Sequence, residues 1–98
     1  MWHVVFTKQA AKDAKHLKAA GLDGKAKALV EVVAGNPFAV PPSYEALVGS
    51  LSGLYSRRIN RQHRFVYEVV QEPLEVDGTC YEGTVKVVRM WTHYEGMR

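Results

Sequence analysis

The order of two sequence patterns along the chain is the strongest constraint on its fold. Helical periodicity of apolar residues occurs only before Gly35, whereas from Leu51 onward β-branched and aromatic residues alternate with turn signals. A chain of 98 residues has room for one hydrophobic core. Helices followed by consecutive strands predict an α+β fold, with two N-terminal helices packed on an antiparallel sheet. We therefore expect residues 1–98 to form a single domain.

Two short helices are predicted after a first strand at residues 2–6. Thr7 suits the N-cap of the first helix, Gly21 its end, and the second helix spans about residues 23–34 before Gly35-Asn36-Pro37. The predicted buried faces comprise Ala10, Ala14, Leu17 and Gly21 in the first helix and Ala26, Leu29, Val30 and Val33 in the second. Helices this short are marginal alone, so they must pack against a sheet or each other.

The rest of the chain predicts a proline-containing connection followed by strands. Residues 36–50 contain three prolines and are expected to be irregular. Strands are predicted at residues 54–59 and 64–70, joined by a turn at residues 60–63, and a last strand at residues 84–91. Residues 74–76 and 79–81 flank Asp77-Gly78, which is a strong hairpin signal.

Several classes of protein are disfavoured by what the sequence lacks. No apolar run approaches the ~20 residues of a membrane helix, and the N-terminus has no signal-peptide pattern. Cys80 is the one cysteine, so no internal disulfide can form and a cytoplasmic location is expected. Metal-ligand, P-loop and dinucleotide-binding motifs are absent. We therefore expect no metal or other cofactor, and any catalysis must use acid–base and electrostatic groups.

The charges are segregated along the chain. Residues 57–64 carry four arginines and no acid, whereas residues 68–82 carry five acids and no base. With a turn at residues 60–63, Arg58 and Arg64 would lie opposite each other on one face, an arrangement that is destabilising unless an anion lies between them. Arginine suits a phosphate because its planar guanidinium binds bidentately. Arg57 and Arg61 are predicted to be solvated edge residues.

Glu45, His93 and Tyr94 complete a set with chemical meaning. Glu45 lies in the proline-flanked connection, and His93-Tyr94 follows the last predicted strand. Histidine, with an ordinary pKa of about 6.5, can donate and accept protons near neutrality. Taken singly, such a glutamate or terminal histidine is more often a solvated surface residue. The other histidines, His3, His16 and His63, are predicted to be surface residues.

A carboxylate, an arginine and a histidine together suffice to cut RNA without a metal. A base removes the ribose 2′-OH proton, and the 2′ oxygen attacks the adjacent phosphorus. A cation stabilises the charge on the phosphoryl oxygens, and an acid protonates the departing 5′ oxygen. Interleaved aromatic residues can stack on bases, although most of them, Phe65 and Trp91 especially, are expected in the core, and Tyr94 is the one placed in the site.

Most of the chain resembles the Txe/YoeB toxin family. The resemblance is carried by residues 45–47 (Glu-Ala-Leu), 51–60 (Leu-Ser-Gly-Leu-Tyr-Ser-Arg-Arg-Ile-Asn), 62–67 (Gln-His-Arg-Phe-Val-Tyr) and the terminal His93-Tyr94. It implies the fold of RelE and the barnase-type microbial ribonucleases. It also implies a type II toxin that cleaves mRNA in the ribosomal A site and inhibits translation, with a YefM-type antitoxin as partner.

The resemblance also implies roles for individual residues. By position, Glu45 matches the general base, Arg64 the phosphate-stabilising arginine, His93 the general acid and Tyr94 the adjacent tyrosine, while Arg58 matches a supporting basic residue. The family further suggests a homodimer, although no interface is legible in the sequence. The lysines of the first helix, Lys8, Lys12 and Lys15, are candidates for contact with rRNA phosphates, the alternative being a solvated helix face.

Two departures from the family pattern keep other functions open. Val48, Gly49 and Ser50 stand where basic residues can follow the glutamate, and the segment at residues 71–83 is longer than expected. Because basic residues are missing near Val48, a non-catalytic ribosome- or RNA-binding module is an alternative to the nuclease. A toxin that inhibits translation by occupying the ribosome, with slow cutting as a side activity, is a third.

Overall fold

The secondary structure follows the predicted order of helices and strands. The computed structural model describes residues 1–92. Its elements are β1 (His3–Phe6), α1 (Lys8–Ala19), α2 (Asp23–Gly35), β2 (Tyr44–Ala46), a 3-10 turn (Gly49–Leu51), β3 (Leu54–Arg58), β4 (Arg64–Val70), β5 (Leu74–Val76), β6 (Thr79–Tyr81) and β7 (Thr84–Thr92). No helix in this part of the chain is long and apolar enough to cross a membrane.

Five strands form one sheet in the order β1-β7-β4-β3-β2. The β2–β3, β3–β4 and β4–β7 pairs are antiparallel, as predicted, whereas β1 runs parallel to β7. A parallel pair requires a long crossover, and here the helices and the inner strands of the sheet lie between β1 and β7 in the sequence. The sheet is therefore mixed, with one parallel pair at its edge, and the α+β prediction is otherwise confirmed.

The ends of α1 are set by local chemistry. The Thr7 hydroxyl accepts a hydrogen bond from the Ala10 N–H at 3.0 Å, which confirms the predicted N-cap. At the other end, the Leu22 N–H donates to the Leu17 carbonyl and Gly21 has a φ of +74°. This Schellman arrangement favours glycine, because an L side chain is strained at positive φ.

The core lies between the two helices and one face of the sheet. It comprises Ala10, Leu17, Ala26, Leu29, Val33, Ile59, Phe65, Tyr67, Val85, Val87 and Met90. The prediction for α1 was wrong at Ala14 and Gly21, which are exposed, whereas Asp13 is buried. Asp13 fits there because its carboxylate accepts hydrogen bonds from the Met90 N–H and from Arg89 Nε, both at 2.9 Å.

The Asp77-Gly78 dipeptide forms the predicted hairpin between β5 and β6. Both residues have positive φ, +49° and +83°, as a type I′ turn requires. The hairpin is a separate two-stranded sheet. Next to it, the N-terminal ammonium of Met1 forms an ion pair with Glu82 at 2.9 Å.

The connection at residues 36–50 is more ordered than predicted. Its residues Tyr44–Ala46 pair with β3 as the short edge strand β2, and a 3-10 turn follows. Glu45 therefore belongs to a strand and not to an irregular loop. Its position is fixed by a backbone ladder, which is a more rigid support than a loop provides.

Candidate functional site

A cleft of about 420 Å³ opens on the face of the sheet at β2, β3 and β4. It brings together Glu45, Arg58 and Arg64, the three described residues that the sequence singled out for chemistry. Its full lining consists of Pro42, Ser43, Tyr44, Glu45, Ser56, Arg58 and Arg64. His93 and Tyr94, the other two predicted site residues, lie outside the described residues.

The sheet register explains why these side chains share one face. Glu45 pairs with Ser56 across the β2–β3 ladder, and Arg58 pairs with Arg64 across the β3–β4 ladder. Ser56 and Arg58 are two residues apart on β3, so their side chains point to the same side. The acid from β2 and the two cations from β3 and β4 consequently project into one space.

The two cleft arginines differ in how firmly they are held. Arg58 is exposed, whereas Arg64 is partly buried and its Nη1 donates to the Asn60 carbonyl at 3.0 Å. The Asn60 side chain in turn accepts hydrogen bonds from the Gln62 and His63 N–H groups, which shapes the turn before β4. Within residues 1–92, neither arginine forms an ion pair with a carboxylate. Counting Glu45, the cleft therefore carries two positive charges and one negative charge, and this positive excess favours an anionic ligand.

Arg57 was predicted to be a solvated edge residue, and this was wrong. Its side chain is 1% exposed and lies on the opposite face of β3 from Arg58. Its guanidinium donates to the carbonyls of Pro37 and Pro42 and to the Tyr67 hydroxyl, and it lies 5.0 Å from the centre of the Tyr44 ring. The alternation of faces along a strand was the available signal, because it separates Arg57 from Arg58.

The Arg57 contacts hold the connection that leads into β2. Burial raises the pKa of Tyr67, so its phenol stays protonated and donates to the Pro37 carbonyl at 2.7 Å. Pro42 lines the cleft and lies two residues before Tyr44, the first residue of β2. The buried hydrogen bonds of Arg57 thus anchor the segment from which Glu45 projects.

His63 was predicted to lie on the surface, and this too was wrong. It is 6% exposed and its ring stacks on that of Trp91 at 4.0 Å, while the exposed His16 stacks with the same Trp91 at 5.4 Å. Phe65 is buried as expected, whereas Trp91 is only partly buried. The stack joins the turn before β4 to the end of β7, where Thr92 pairs with Arg64.

Ser56 was missed by the sequence reasoning. It lines the cleft opposite Glu45 and is 4% exposed, and its Oγ has no hydrogen-bond partner among the described residues. The period-two alternation that places Arg58 on this face could have identified it, because Ser56 is two residues earlier on the same strand.

The lysines Lys8, Lys12 and Lys15 are all exposed on α1. None of them lines the cleft, and Lys15 instead borders a second, more apolar cavity of about 350 Å³ beside α1 and α2. A role for these lysines would therefore concern a surface other than the acid–arginine cleft.

Comparison with known proteins places the chain in a family. The family described as "YoeB-like toxin of bacterial type II toxin-antitoxin system" matches residues 6–94. The chain is 41% identical over 46 residues to Toxin YoeB of Synechocystis sp.; that match covers 47% of this chain and spans about half, 54%, of the Synechocystis protein.

The solved structures agree on the fold. The YoeB/ParE toxin from Agrobacterium tumefaciens superposes with a TM-score of 0.77 at 28% identity, over 94% of this chain and 99% of that one. YoeB of Staphylococcus aureus, in a heterotetrameric complex with YefM, gives a TM-score of 0.70 at 28% identity over 96% and 99%. A YoeB dimer from S. aureus gives a TM-score of 0.68 at 28% identity, over 95% of this chain and 98% of that one. Since the family match extends over nearly the whole sequence, this chain belongs to the YoeB-like toxins of bacterial type II toxin–antitoxin systems.

Proposed function

We propose that this toxin is an endoribonuclease that cuts mRNA in the ribosomal A site and so inhibits translation. The observation that supports the proposal most directly is the convergence of Glu45, Arg58 and Arg64 on one cleft. A carboxylate beside two cations without carboxylate partners suits a reaction that needs a base next to a phosphate.

The first half of the reaction uses the described residues. Glu45 accepts the proton of the ribose 2′-OH, and the 2′ oxygen forms a bond to the adjacent phosphorus. Arg64 and Arg58 stabilise the additional negative charge on the phosphoryl oxygens. Because DNA has no 2′-OH, the reaction is restricted to RNA.

The second half needs an acid for the leaving group. His93 donates a proton to the 5′ oxygen as its bond to phosphorus breaks, leaving a 2′,3′-cyclic phosphate and a 5′-hydroxyl, and Tyr94 assists beside it. Support for this assignment comes from covalent continuity, because Thr92, which immediately precedes His93, pairs with Arg64. These five residues act through their side chains alone, with no metal or other cofactor.

The partners follow from the family and from the surface. We propose that Lys8, Lys12 and Lys15 contact rRNA phosphates on the ribosome, an interaction that weakens steeply with salt. The S. aureus YoeB structures contain YefM in one case and a toxin dimer in the other. On that basis we propose that this toxin binds a YefM-type antitoxin, that it forms a homodimer and that it acts in the cytoplasm.

Toeprinting of a defined mRNA on purified ribosomes tests the proposal. Wild-type protein should cut within the A-site codon, whereas Glu45→Ala and His93→Gln should leave the message intact. Glu31→Ala, which removes an exposed carboxylate on α2 away from the cleft, is the matched control and should cut normally. The rate should follow a bell-shaped pH profile, because one group must be deprotonated and another protonated. Intact mRNA with wild-type protein would refute the proposal.

A second candidate is a toxin that inhibits translation by occupying the ribosome without cutting. It is favoured by the exposed Val48, Gly49 and Ser50, which supply no cation directly after β2. In that case the toeprint would show a stalled ribosome with uncut mRNA, unchanged by Glu45→Ala.

A further inference from the structure

Ser56 combines burial, an unused hydroxyl and a position inside the cleft. The residue is 4% exposed, and its Oγ has no hydrogen-bond partner among residues 1–92. A buried hydroxyl without a partner is destabilising compared with an apolar group of the same size. This destabilisation is removed if the Ser56 hydroxyl gains a hydrogen-bond partner when a ligand binds in the cleft.

The sheet register identifies that partner. Ser56 is paired directly with Glu45, and the Cβ atoms of directly opposed residues lie about 4.5–5.5 Å apart. A serine O–H and a glutamate carboxylate bridge that separation easily when the glutamate side chain folds back toward the sheet. Because Glu45 is exposed, its side chain can adopt several rotamers in the free protein.

We infer that Ser56 is a positioning residue for Glu45: when RNA fills the cleft, the Ser56 hydroxyl donates a hydrogen bond to the Glu45 carboxylate. The inference rests on the proposed nuclease function. The hydrogen bond holds the base in one rotamer beside the 2′-OH and stabilises its deprotonated form. It also satisfies the Ser56 hydroxyl, which lacks a described partner in the free protein.

Other ionisable groups face Glu45 from the surrounding strands. Arg58 on β3 and Arg64 on β4 line the same cleft as Glu45, and the ring of the neighbouring Tyr44 lies beside Arg57. All three remain in any Ser56 variant. A change in pH dependence on removing the hydroxyl therefore reports the loss of its hydrogen bond and not a change in these groups.

Ser56→Ala removes the hydroxyl with little change in volume and is tested on programmed ribosomes across pH. The single-turnover cleavage rate at saturating enzyme should fall about tenfold. The acidic limb of the pH–rate profile should move upward by about one pH unit. The melting temperature should stay the same or rise, because an unsatisfied hydroxyl has been removed from the folded state.

Two control variants complete the test. Ser56→Thr keeps the hydroxyl, so its acidic limb should lie where that of wild type does. Ser52→Ala, at an exposed position outside the cleft, should behave as wild type.

Three outcomes would overturn the inference, and they are distinguishable. If wild type cuts and Ser56→Ala cuts with the same rate and pH profile, Ser56 plays no part while the nuclease stands. If Ser56→Ala lowers the melting temperature and leaves the acidic limb in place, the serine is structural; Ser56→Cys, close in size, repeats this comparison if the alanine variant fails to fold. If wild type does not cut at all, the proposed function and this inference fail together.

Discussion

Arg58 and Arg64 lie directly opposite each other on neighbouring antiparallel strands, with neither paired to a carboxylate in the part of the chain that the structure describes. Directly opposed like charges destabilise a sheet. The arrangement is therefore unfavourable for the free protein and favourable for a complex with an anion such as an RNA phosphate.

Replacing Arg58 should lower the cleavage activity without lowering the stability of the protein. We expect Arg58→Ala to leave the free energy of unfolding unchanged or to raise it by roughly 0.2–1 kcal/mol, because a repulsion is relieved. Its mRNA cleavage should fall, and that of Arg64→Ala should fall by about 10²–10³-fold, the usual effect of losing a group that stabilises developing charge. Urea denaturation and toeprinting measure the two quantities. Arg61→Ala, exposed and outside the cleft, is the control, and a destabilised but fully active Arg58→Ala would contradict the argument.

The buried hydrogen bonds that join Arg57 to Tyr67 predict that substitutions at these two residues have coupled effects on stability. Arg57→Met removes the donors to the Pro37 and Pro42 carbonyls, so the free energy of unfolding should fall by about 1–3 kcal/mol. Tyr67→Phe should lower it by about 1–3 kcal/mol, because it leaves the Pro37 carbonyl and Arg57 Nε without that partner.

The double variant should lose less than the sum of the two single losses, because the side chains share one network. Denaturant titration of the full cycle measures the coupling. Tyr55→Phe, at a partly buried ring on the same strand as Arg57, is the matched control and should change stability little. Strict additivity would show that Arg57 and Tyr67 act independently.

The lowered pKa of Asp13 predicts that the protein loses stability at acidic pH. Burial alone raises the pKa of Asp13, but hydrogen bonds from the Met90 N–H, Arg89 and Gln9, with the charge of Arg89, outweigh it and hold the pKa below its ordinary 3.8. A carboxyl whose folded pKa is lowered stabilises the protein above its unfolded pKa, and this contribution is lost as the pH falls through the folded pKa.

Asp13→Asn should therefore lower the free energy of unfolding at pH 7 by about 3 kcal/mol. Wild type should lose stability below about pH 4, and the variant should show a smaller decline there. Chemical denaturation between pH 7 and pH 2 measures both effects, with Glu31→Gln, an exposed carboxyl on α2, as control. If the stability of Asp13→Asn and that of wild type fall identically with acid, the ion pair between Asp13 and Arg89 is not the source of that fall.

Two glycines predict opposite results for the same substitution. A Cβ at Gly83 would collide with the Val70 carbonyl oxygen and the Trp2 ring, so Gly83→Ala should destabilise the fold by about 1–3 kcal/mol. A Cβ at Gly24, within α2, meets nothing within 4 Å, so Gly24→Ala should stabilise by about 0.5–1 kcal/mol. Thermal denaturation of both variants measures the difference in sign, and a stable Gly83→Ala would mean that the backbone at Gly83 can move away from the Val70 oxygen and the Trp2 ring.

Much of the fold was predictable because its signals are local. The Thr7 cap, the Gly21 stop and the Asp77-Gly78 turn each depend on conformations that neighbouring residues set among themselves. The register that opposes Arg58 to Arg64 was equally local, because the length of the turn between two strands determines it. Chemical type also indicated Glu45 and the two arginines as site candidates before any geometry was known.

What the sequence determined by itself was thus the kinds of element, their order and the chemistry available to the site. Tertiary structure alone decided that Asp13 and His63 are buried. It also decided that Arg57, and not Arg58, lies on the covered face of β3. In each case the groups that accommodate the side chain, among them Arg89, Pro37 and Trp91, are distant in the sequence. It also decided that β1 runs parallel to β7 and that Ser56 faces Glu45. The physical reason is the same in each case: periodicity and turns arise from adjacent residues, whereas the burial of a polar group depends on a partner that only the folded chain supplies.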